Sequence, residues 1–140
     1  MFRADDWLKQ AKKDLKHAKE SMKIEHFEWA VLAAQQSAEK AIKALYYELG
    51  GDPWGHSLLK FLKELPSKFE VEQELIKAAK NLDKHYITSR YPNGFASGAP
   101  EDYYIKQDAE EAIENGKKIL EFCENQISTL REETEQNIEE

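Results

Sequence analysis

The side chains best suited to chemistry stand next to the predicted ends of helices. Arg90 closes a helical segment and is followed by Tyr91 and Pro92. A guanidinium there either stabilises the carboxyl end of a helix as a cation or binds a phosphate or carboxylate through its planar fork. The ring of Tyr91 offers a surface on which a base can stack. Arg90 and Tyr91 are therefore candidate ligand-binding residues.

A histidine and two lysines are the other candidates. His56 and Ser57 stand immediately before a short leucine-rich segment. A polar residue in this position is typical of a helix cap, and an imidazole there is also a candidate general acid or base. Lys40 and Lys43 lie on one flank of a long, otherwise apolar helical segment. They are either exposed ion-pair residues or additional positive charge for a ligand at Arg90.

Other kinds of site are disfavoured by the spacing of the polar residues. None of the four histidines belongs to a Glu-x-x-His pair of the kind that ligates a metal within a helical bundle. Gly50-Gly51 lacks the Lys and Ser/Thr of a phosphate-binding loop and is more simply a helix terminator. Cys123 falls on an apolar helical stripe, which favours a buried thiol over a nucleophile. We expect no metal site and no cofactor.

Composition and charge narrow the partners and the compartment. The 140 residues carry 20 Lys and Arg against 27 Asp and Glu, a net charge of −7, so the protein as a whole should be repelled by nucleic acid and by anionic membranes. A single cysteine cannot form an internal disulfide, and no apolar run approaches the roughly 20 residues of a membrane span. The first six residues contain no apolar signal core. We therefore expect a cytoplasmic protein that binds neither DNA nor membranes.

The elements that must position these candidates are helices. Apolar residues recur at three- and four-residue spacing in four long segments, and a leucine-rich segment ended by Pro66 predicts a fifth, shorter helix. The predicted helices span residues 5–23, 26–49, 57–65, 71–90 and about 104–130. Residues 92–100 contain two prolines and two glycines without a period, which predicts a loop.

The fold class predicted by this pattern is all-α, an antiparallel up-and-down bundle of four main helices plus one short helix. Residues 1–130 are expected to form this single domain. Residues 131–140 form a charged tail, which either frays or extends the last helix. Long helices joined by short loops place their ends together, so residues at helix ends can share a site.

A set of short stretches occurs along the chain in a particular order and spacing. They are Gln35–Ala44 in the second helix, His56-Ser57-Leu58 at the short helix, Ser89-Arg90-Tyr91-Pro92 closing the fourth, and Asp108-Ala109 with Ala112, Ile119 and Phe122 in the last. Over roughly residues 5–127 this combination resembles the HEPN domain family. These small helical bundles are named for their occurrence in higher eukaryotes and prokaryotes and for nucleotide binding.

The resemblance implies a helical bundle that is usually dimeric and is often encoded with a minimal nucleotidyltransferase. Some members of the family are metal-independent ribonuclease toxins, and others are non-catalytic binding subunits. Long apolar stripes and the aromatic residues Phe2, Trp7, Trp29 and Trp54 also favour a two-fold homodimer here.

The ribonuclease branch uses an Arg followed, after four to six residues, by a His, and the pair positions and protonates the scissile phosphodiester of RNA. Counted from Arg90, residues 95–97 are Phe, Ala and Ser, so the motif is absent. His85 precedes Arg90 by five residues, which separates the two side chains by about 140° around a helix. RNA cleavage would therefore require His56 to approach Arg90 through space.

We expect a non-catalytic, dimeric HEPN-like domain that binds a nucleotide or RNA or acts as partner subunit of a minimal nucleotidyltransferase. The ligand-binding residues expected are Arg90, Tyr91, Lys40, Lys43 and His56. The alternative is a metal-independent ribonuclease toxin of a toxin-antitoxin pair, with Arg90 as phosphate clamp and His56 as general acid or base. A further alternative is a helical scaffold in which Arg90 has only a structural role.

Overall fold

The computed structural model describes residues 3–139, so Phe2 of the expected dimer face lies outside the described residues. Residues 3–139 form six α-helices and no β-strand. The helices are α1 (Ala4–Lys23), α2 (Phe27–Glu48), α3 (Leu58–Lys63), α4 (Gln73–Thr88), α5 (Pro100–Tyr103) and α6 (Lys106–Glu139), and a 3₁₀ turn covers Pro92–Gly94. The predicted all-α bundle is confirmed, with α1, α2, α4 and α6 as its long helices.

Helix α2 is the centre of the bundle because it packs along both α1 and α6. More than half of its residues are buried, and Ala34 and Ala38 expose no surface. Small side chains allow neighbouring helices to come close. A Cβ on Gly116 of α6 would stand 3.0 Å from the Ala34 carbonyl oxygen, and Ser37 donates through Oγ to the Ala11 carbonyl of α1 over 2.7 Å.

Contacts at one end of the bundle show how the long helices run. The ring of Trp7, near the start of α1, lies 5.5 Å from the ring of Tyr47, near the end of α2. Arg131 of α6 binds Asp5 of α1 over 2.9 Å and Glu48 of α2 over 2.7 Å. The start of α1 therefore meets the end of α2, so α1 and α2 are antiparallel, and the start of α2 lies at the opposite end of the bundle.

Ser57 caps the amino terminus of α3, as its position before the leucine-rich segment predicts. Its Oγ accepts a hydrogen bond from the Lys60 N–H over 3.1 Å. The backbone N–H groups of Leu58 and Leu59 donate to the carboxylate of Asp83 on α4, over 2.9 and 3.0 Å. These contacts hold the chain around residue 57 against α4.

The segment between α4 and α6 is more ordered than the loop that the sequence predicts. It contains the 3₁₀ turn and α5, and the last helix begins at Lys106 rather than at about residue 104. Pro100 favours a helix start because its missing N–H would be unpaired there in any case. Asp108 accepts from the Ile105 N–H over 2.9 Å, which fixes the first turn of α6. From there α6 continues to Glu139.

Cys123 is buried without exposed surface, as its place on the apolar stripe predicts. Burial raises the pKa of its thiol, which keeps it protonated and a poor nucleophile. In the part of the chain that the structure describes, no helix is long and apolar enough to cross a membrane. The same residues contain no group of three or more His, Cys, Asp or Glu placed to hold a metal ion.

Candidate functional site

Arg90 and Tyr91 lie where α4 ends. Both backbone N–H groups donate to the Ile87 carbonyl, over 3.0 and 3.1 Å, which closes the last turn. The following Pro92 excludes the helical conformation for Tyr91 by steric clash, and Tyr91 is extended, with φ −129° and ψ 138°. The Arg-Tyr-Pro sequence thus turns the chain away from the helix axis just where the two candidate side chains stand.

The guanidinium of Arg90 is held by an aromatic ring. It lies over the ring of Tyr86, one helical turn earlier, with 4.6 Å between the guanidinium carbon and the ring centroid. Its Nε atom is buried and donates to no partner among the described residues. An unpaired buried donor costs about 1–3 kcal/mol, and more when it is charged. Only a rearrangement that uncovers Nε and brings an acceptor oxygen to that atom would remove this cost.

Arg90 and Tyr91 line a cleft of about 430 Å³. Its walls come from the start of α2, the end of α4 and the start of α5, and the lining residues are Glu28, Trp29, Leu32, Ser89, Arg90, Tyr91, Ala99, Pro100 and Glu101. The size falls within the range of small-molecule sites, roughly 300–1,000 Å³. Trp29 and Tyr91 are 56% and 50% exposed, so both rings present free surface to a ligand.

The side chains of this cleft can contact an anion, an aromatic ring and hydrogen-bond donors. A guanidinium matches the geometry of a phosphate, and exposed aromatic rings stack on bases of any sequence. The carboxylates of Glu28 and Glu101 accept hydrogen bonds from amino or hydroxyl groups. The arrangement therefore combines one anion-binding group with apolar and hydrogen-bond-accepting walls.

His56 contacts the same tyrosine ring as Arg90 but does not line the cleft. Its ring stacks on that of Tyr86, with 4.7 Å between centroids and 19° between planes. Since Arg90 contacts the same ring, the imidazole and the guanidinium are at most about 9 Å apart. His56 Nδ1 lies 3.0 Å from the carboxylate of Glu39, and its side chain is 54% exposed.

Glu39 is a functional candidate that the sequence did not single out. It is 5% exposed on α2 and receives three polar groups: His56 Nδ1, Lys43 Nζ at 3.3 Å and Gln35 Nε2 at 3.4 Å. Carboxylates are almost never fully buried unless they are paired. Two features of the sequence could have pointed to these residues. Glu39 is a glutamate on the strongly apolar second helix, and Tyr86 stands four residues before Arg90, which places the two side chains on one face of a helix.

The two lysines predicted for the site are bound to carboxylates instead. Lys40 Nζ lies 2.5 Å from Asp14 of α1. Lys43 Nζ binds Glu39 and lies 5.9 Å from the centroid of the Trp7 ring. Neither lysine is among the residues that line the cleft. The structure thus brings Arg90 and Tyr91 together, connects His56 to Arg90 through Tyr86, and directs both lysines to other partners.

His85 lies in a different cavity from Arg90, in agreement with the angle that separates them on the helix. Its Nδ1 is 2.8 Å from the hydroxyl of Tyr104, which also contacts Thr88 over 2.7 Å. Burial lowers the pKa of His85, although Asp108 nearby acts in the opposite direction. The imidazole is therefore neutral near pH 7 and forms a small polar network between α4 and the residues that join α5 to α6.

Fold and site define a small antiparallel helical-bundle domain with a cleft at the helix ends. The HEPN domain family matches residues 4–126, and the chain belongs to this family. The resemblance drawn from the sequence is thereby confirmed.

Solved structures with this fold come from several microorganisms. TT1696 from Thermus thermophilus is 45% identical, with a TM-score of 0.87 over 89% of this chain and 98% of its own. ST0689, an archaeal HEPN homologue, is 38% identical, with a TM-score of 0.77 over 91% of this chain and 99% of its own. A HEPN domain protein from Thermotoga maritima is also 38% identical, with a TM-score of 0.72 over 88% and 98%.

A relative with a functional name comes from an archaeon. The Methanocaldococcus jannaschii protein named "Putative toxin MJ1304" is 28% identical over 128 residues, which are 85% of this chain and 84% of that protein.

Proposed function

We propose that this chain is a non-catalytic HEPN domain that binds a nucleotide in the cleft at Arg90. The observation that carries the proposal is the buried, unpaired Nε of Arg90 beside the exposed rings of Trp29 and Tyr91. Stacking on Tyr86 holds the guanidinium in place before a ligand arrives, which lowers the entropic cost of binding. The absence of a histidine at residues 95–97 supports a binding role over catalysis.

Calorimetric titration with the four common ribonucleotides tests the proposal. The parent should release heat with at least one of them, and Arg90→Lys should weaken binding roughly tenfold because an ammonium cannot reproduce the planar fork. Arg3→Lys is the matched control, since Arg3 is exposed and pairs with Asp6 at the start of α1, at the other end of the bundle. Absence of heat with every nucleotide, or equal affinity in Arg90→Lys and the parent, would refute this function.

A metal-independent ribonuclease is the second candidate. It is favoured by the shared contact of His56 and Arg90 with Tyr86, and the name of the M. jannaschii relative points the same way. Glu39 holds Nδ1 of His56, which leaves Nε2 for proton transfer while Arg90 clamps the phosphate. Incubation with labelled RNA in EDTA separates the candidates: cleavage by the parent that is lost in both His56→Ala and Arg90→Ala would establish the nuclease.

We also propose a homodimer and a minimal nucleotidyltransferase as partners. Trp54, which is 84% exposed and does not line the cleft, supports an interaction surface. Sedimentation should show a particle of about twice 16.3 kDa at micromolar concentration, and a particle of 16.3 kDa would exclude the homodimer. Co-purification with a nucleotidyltransferase encoded in the adjacent reading frame tests the second partner. If the protein binds no nucleotide, cleaves no RNA and has no partner in these experiments, the remaining alternative is a helical scaffold.

A further inference from the structure

We infer that the Arg90 cleft selects a nucleoside monophosphate over the corresponding triphosphate, and that the carboxylates of Glu28 and Glu101 set this preference. The inference rests on the proposed function and specifies the ligand class of the same site. It follows from the charges that line the cleft, from its size, and from the placement of the neighbouring lysines.

The charged residues among the nine that line the cleft are one arginine and two glutamates. Arg90 offers a fork that fits a single phosphoryl group. A terminal phosphate carries about −1.5 to −2 charges near neutral pH, and one guanidinium compensates about half to two thirds of this charge. A triphosphate adds about two further negative charges, for which the lining residues supply no second cation.

The two glutamates act directly on any additional phosphate. Taken as a sphere, a cavity of about 430 Å³ is about 9 Å across, which is close to the Debye length of about 8 Å at physiological ionic strength. Salt therefore reduces the repulsion between these carboxylates and a second or third phosphate to roughly a third of its unscreened value, without removing it. The same carboxylates accept hydrogen bonds from ribose hydroxyls or from the amino group of a base, so they favour the nucleoside part of the ligand.

The two lysines of α2 do not offset this repulsion. Lys40 is bound to Asp14 and Lys43 to Glu39, so each ammonium already has an anionic partner. Recruiting either one to a triphosphate would break an ion pair that is largely buried. The volume of the cleft also lies near the lower end of the range for small-molecule sites, roughly 300–1,000 Å³, which suits the smaller ligand.

The test is a calorimetric series with the mono-, di- and triphosphates of adenosine, guanosine, cytidine and uridine, in EDTA and at constant ionic strength. Each added phosphate should weaken binding, by roughly twofold in total from mono- to triphosphate at physiological ionic strength, as expected for two charges about 8 Å from a net charge of −1 in water and screened over one Debye length. The double variant Glu28→Gln/Glu101→Gln changes the charge of the lining from −1 to +1 and should reverse this preference. The control Glu132→Gln/Glu133→Gln changes the net charge equally on exposed residues near the far end of α6 and should keep it.

The experiment separates the phosphate preference, the role of the two carboxylates and the proposed function. Equal or tighter binding of the triphosphate by the parent overturns the inference and leaves nucleotide binding intact. A monophosphate preference that persists in Glu28→Gln/Glu101→Gln overturns the assignment to the two carboxylates. Absence of binding to every nucleotide refutes the proposed function itself, and thermal melts of both double variants show whether they remain folded.

Discussion

Glu39→Gln is expected to lower the free energy of unfolding by about 2 kcal/mol. The change keeps the shape of the side chain and removes its charge. Glu39 and Lys43 side chains are 6% and 12% exposed, so the substitution leaves an ammonium with little access to water and without its anionic partner. Breaking a buried ion pair from one side costs about 3–5 kcal/mol. The flexible lysine can recover part of this by extending towards solvent.

The other two contacts of Glu39 add little to this cost. Its distance from Gln35 is 3.4 Å, which is long for a hydrogen bond, and an amide in place of the carboxylate can still accept from His56 or Gln35. The loss of about 2 kcal/mol therefore comes mainly from Lys43. For a domain of 140 residues it corresponds to a fall in melting temperature of about 5–8 °C.

Thermal and urea unfolding, followed by circular dichroism, measure the effect. Glu20→Gln on the exposed face of α1 is the control and should change stability by less than about 0.5 kcal/mol. In Glu39→Gln/Lys43→Met the buried ammonium is also gone, so the double variant should be more stable than Glu39→Gln alone. A melting temperature of Glu39→Gln equal to that of the parent and of Glu20→Gln would show that the Glu39–Lys43 pair contributes nothing.

Two further predictions concern the core and the pH dependence of stability. Ala38→Phe should lower the free energy of unfolding by about 1–3 kcal/mol, because Ala38 exposes no surface on the central helix and a phenyl ring would overpack the contact with the neighbouring helices. A melting temperature equal to the parent's would contradict this prediction. The pKa of His85 is lowered by burial, so the unfolded chain binds the proton more tightly and stability falls as the pH drops below about 6.5. His85→Gln should flatten this part of the urea-midpoint profile, and identical slopes in variant and parent would exclude the contribution of His85.

The long helices could be predicted from the sequence because their apolar stripes are local patterns. Pro92 kept Tyr91 out of the helical conformation as expected, since this clash needs no tertiary partner, but α4 ends at Thr88 rather than at residue 90. The start of the last helix was less predictable. Pro100 begins a separate short helix, and the hydrogen bond from Ile105 to Asp108 then sets the first turn of α6. Boundaries of this kind depend on competing caps within a few residues.

Only those parts of the site whose residues are close together in the sequence could be predicted. Arg90 and Tyr91 are neighbours in sequence and share the cleft, but Trp29 reaches them through the packing of α2 against the end of α4. The partner of Lys40 is likewise invisible in the sequence, because Asp14 comes from a different helix. A lysine on a helix flank is normally solvated, so its capture by a carboxylate of another helix is a tertiary outcome.

The energetics of Arg90 separate a structural role from a binding role. A cation at the carboxyl end of a helix contributes about 0.3–1 kcal/mol. The stacked contact with Tyr86 adds about 0.5–1 kcal/mol at a partly exposed site. Against these gains stands the burial of Nε without an acceptor, which costs about 1–3 kcal/mol and more for a charged group. Without a ligand the arrangement is close to neutral or unfavourable, and a lysine would provide the helix-end charge without that burden. An acceptor that reached Nε would turn the largest cost into a charge-assisted hydrogen bond, and this balance supports the proposal of an anionic ligand at Arg90.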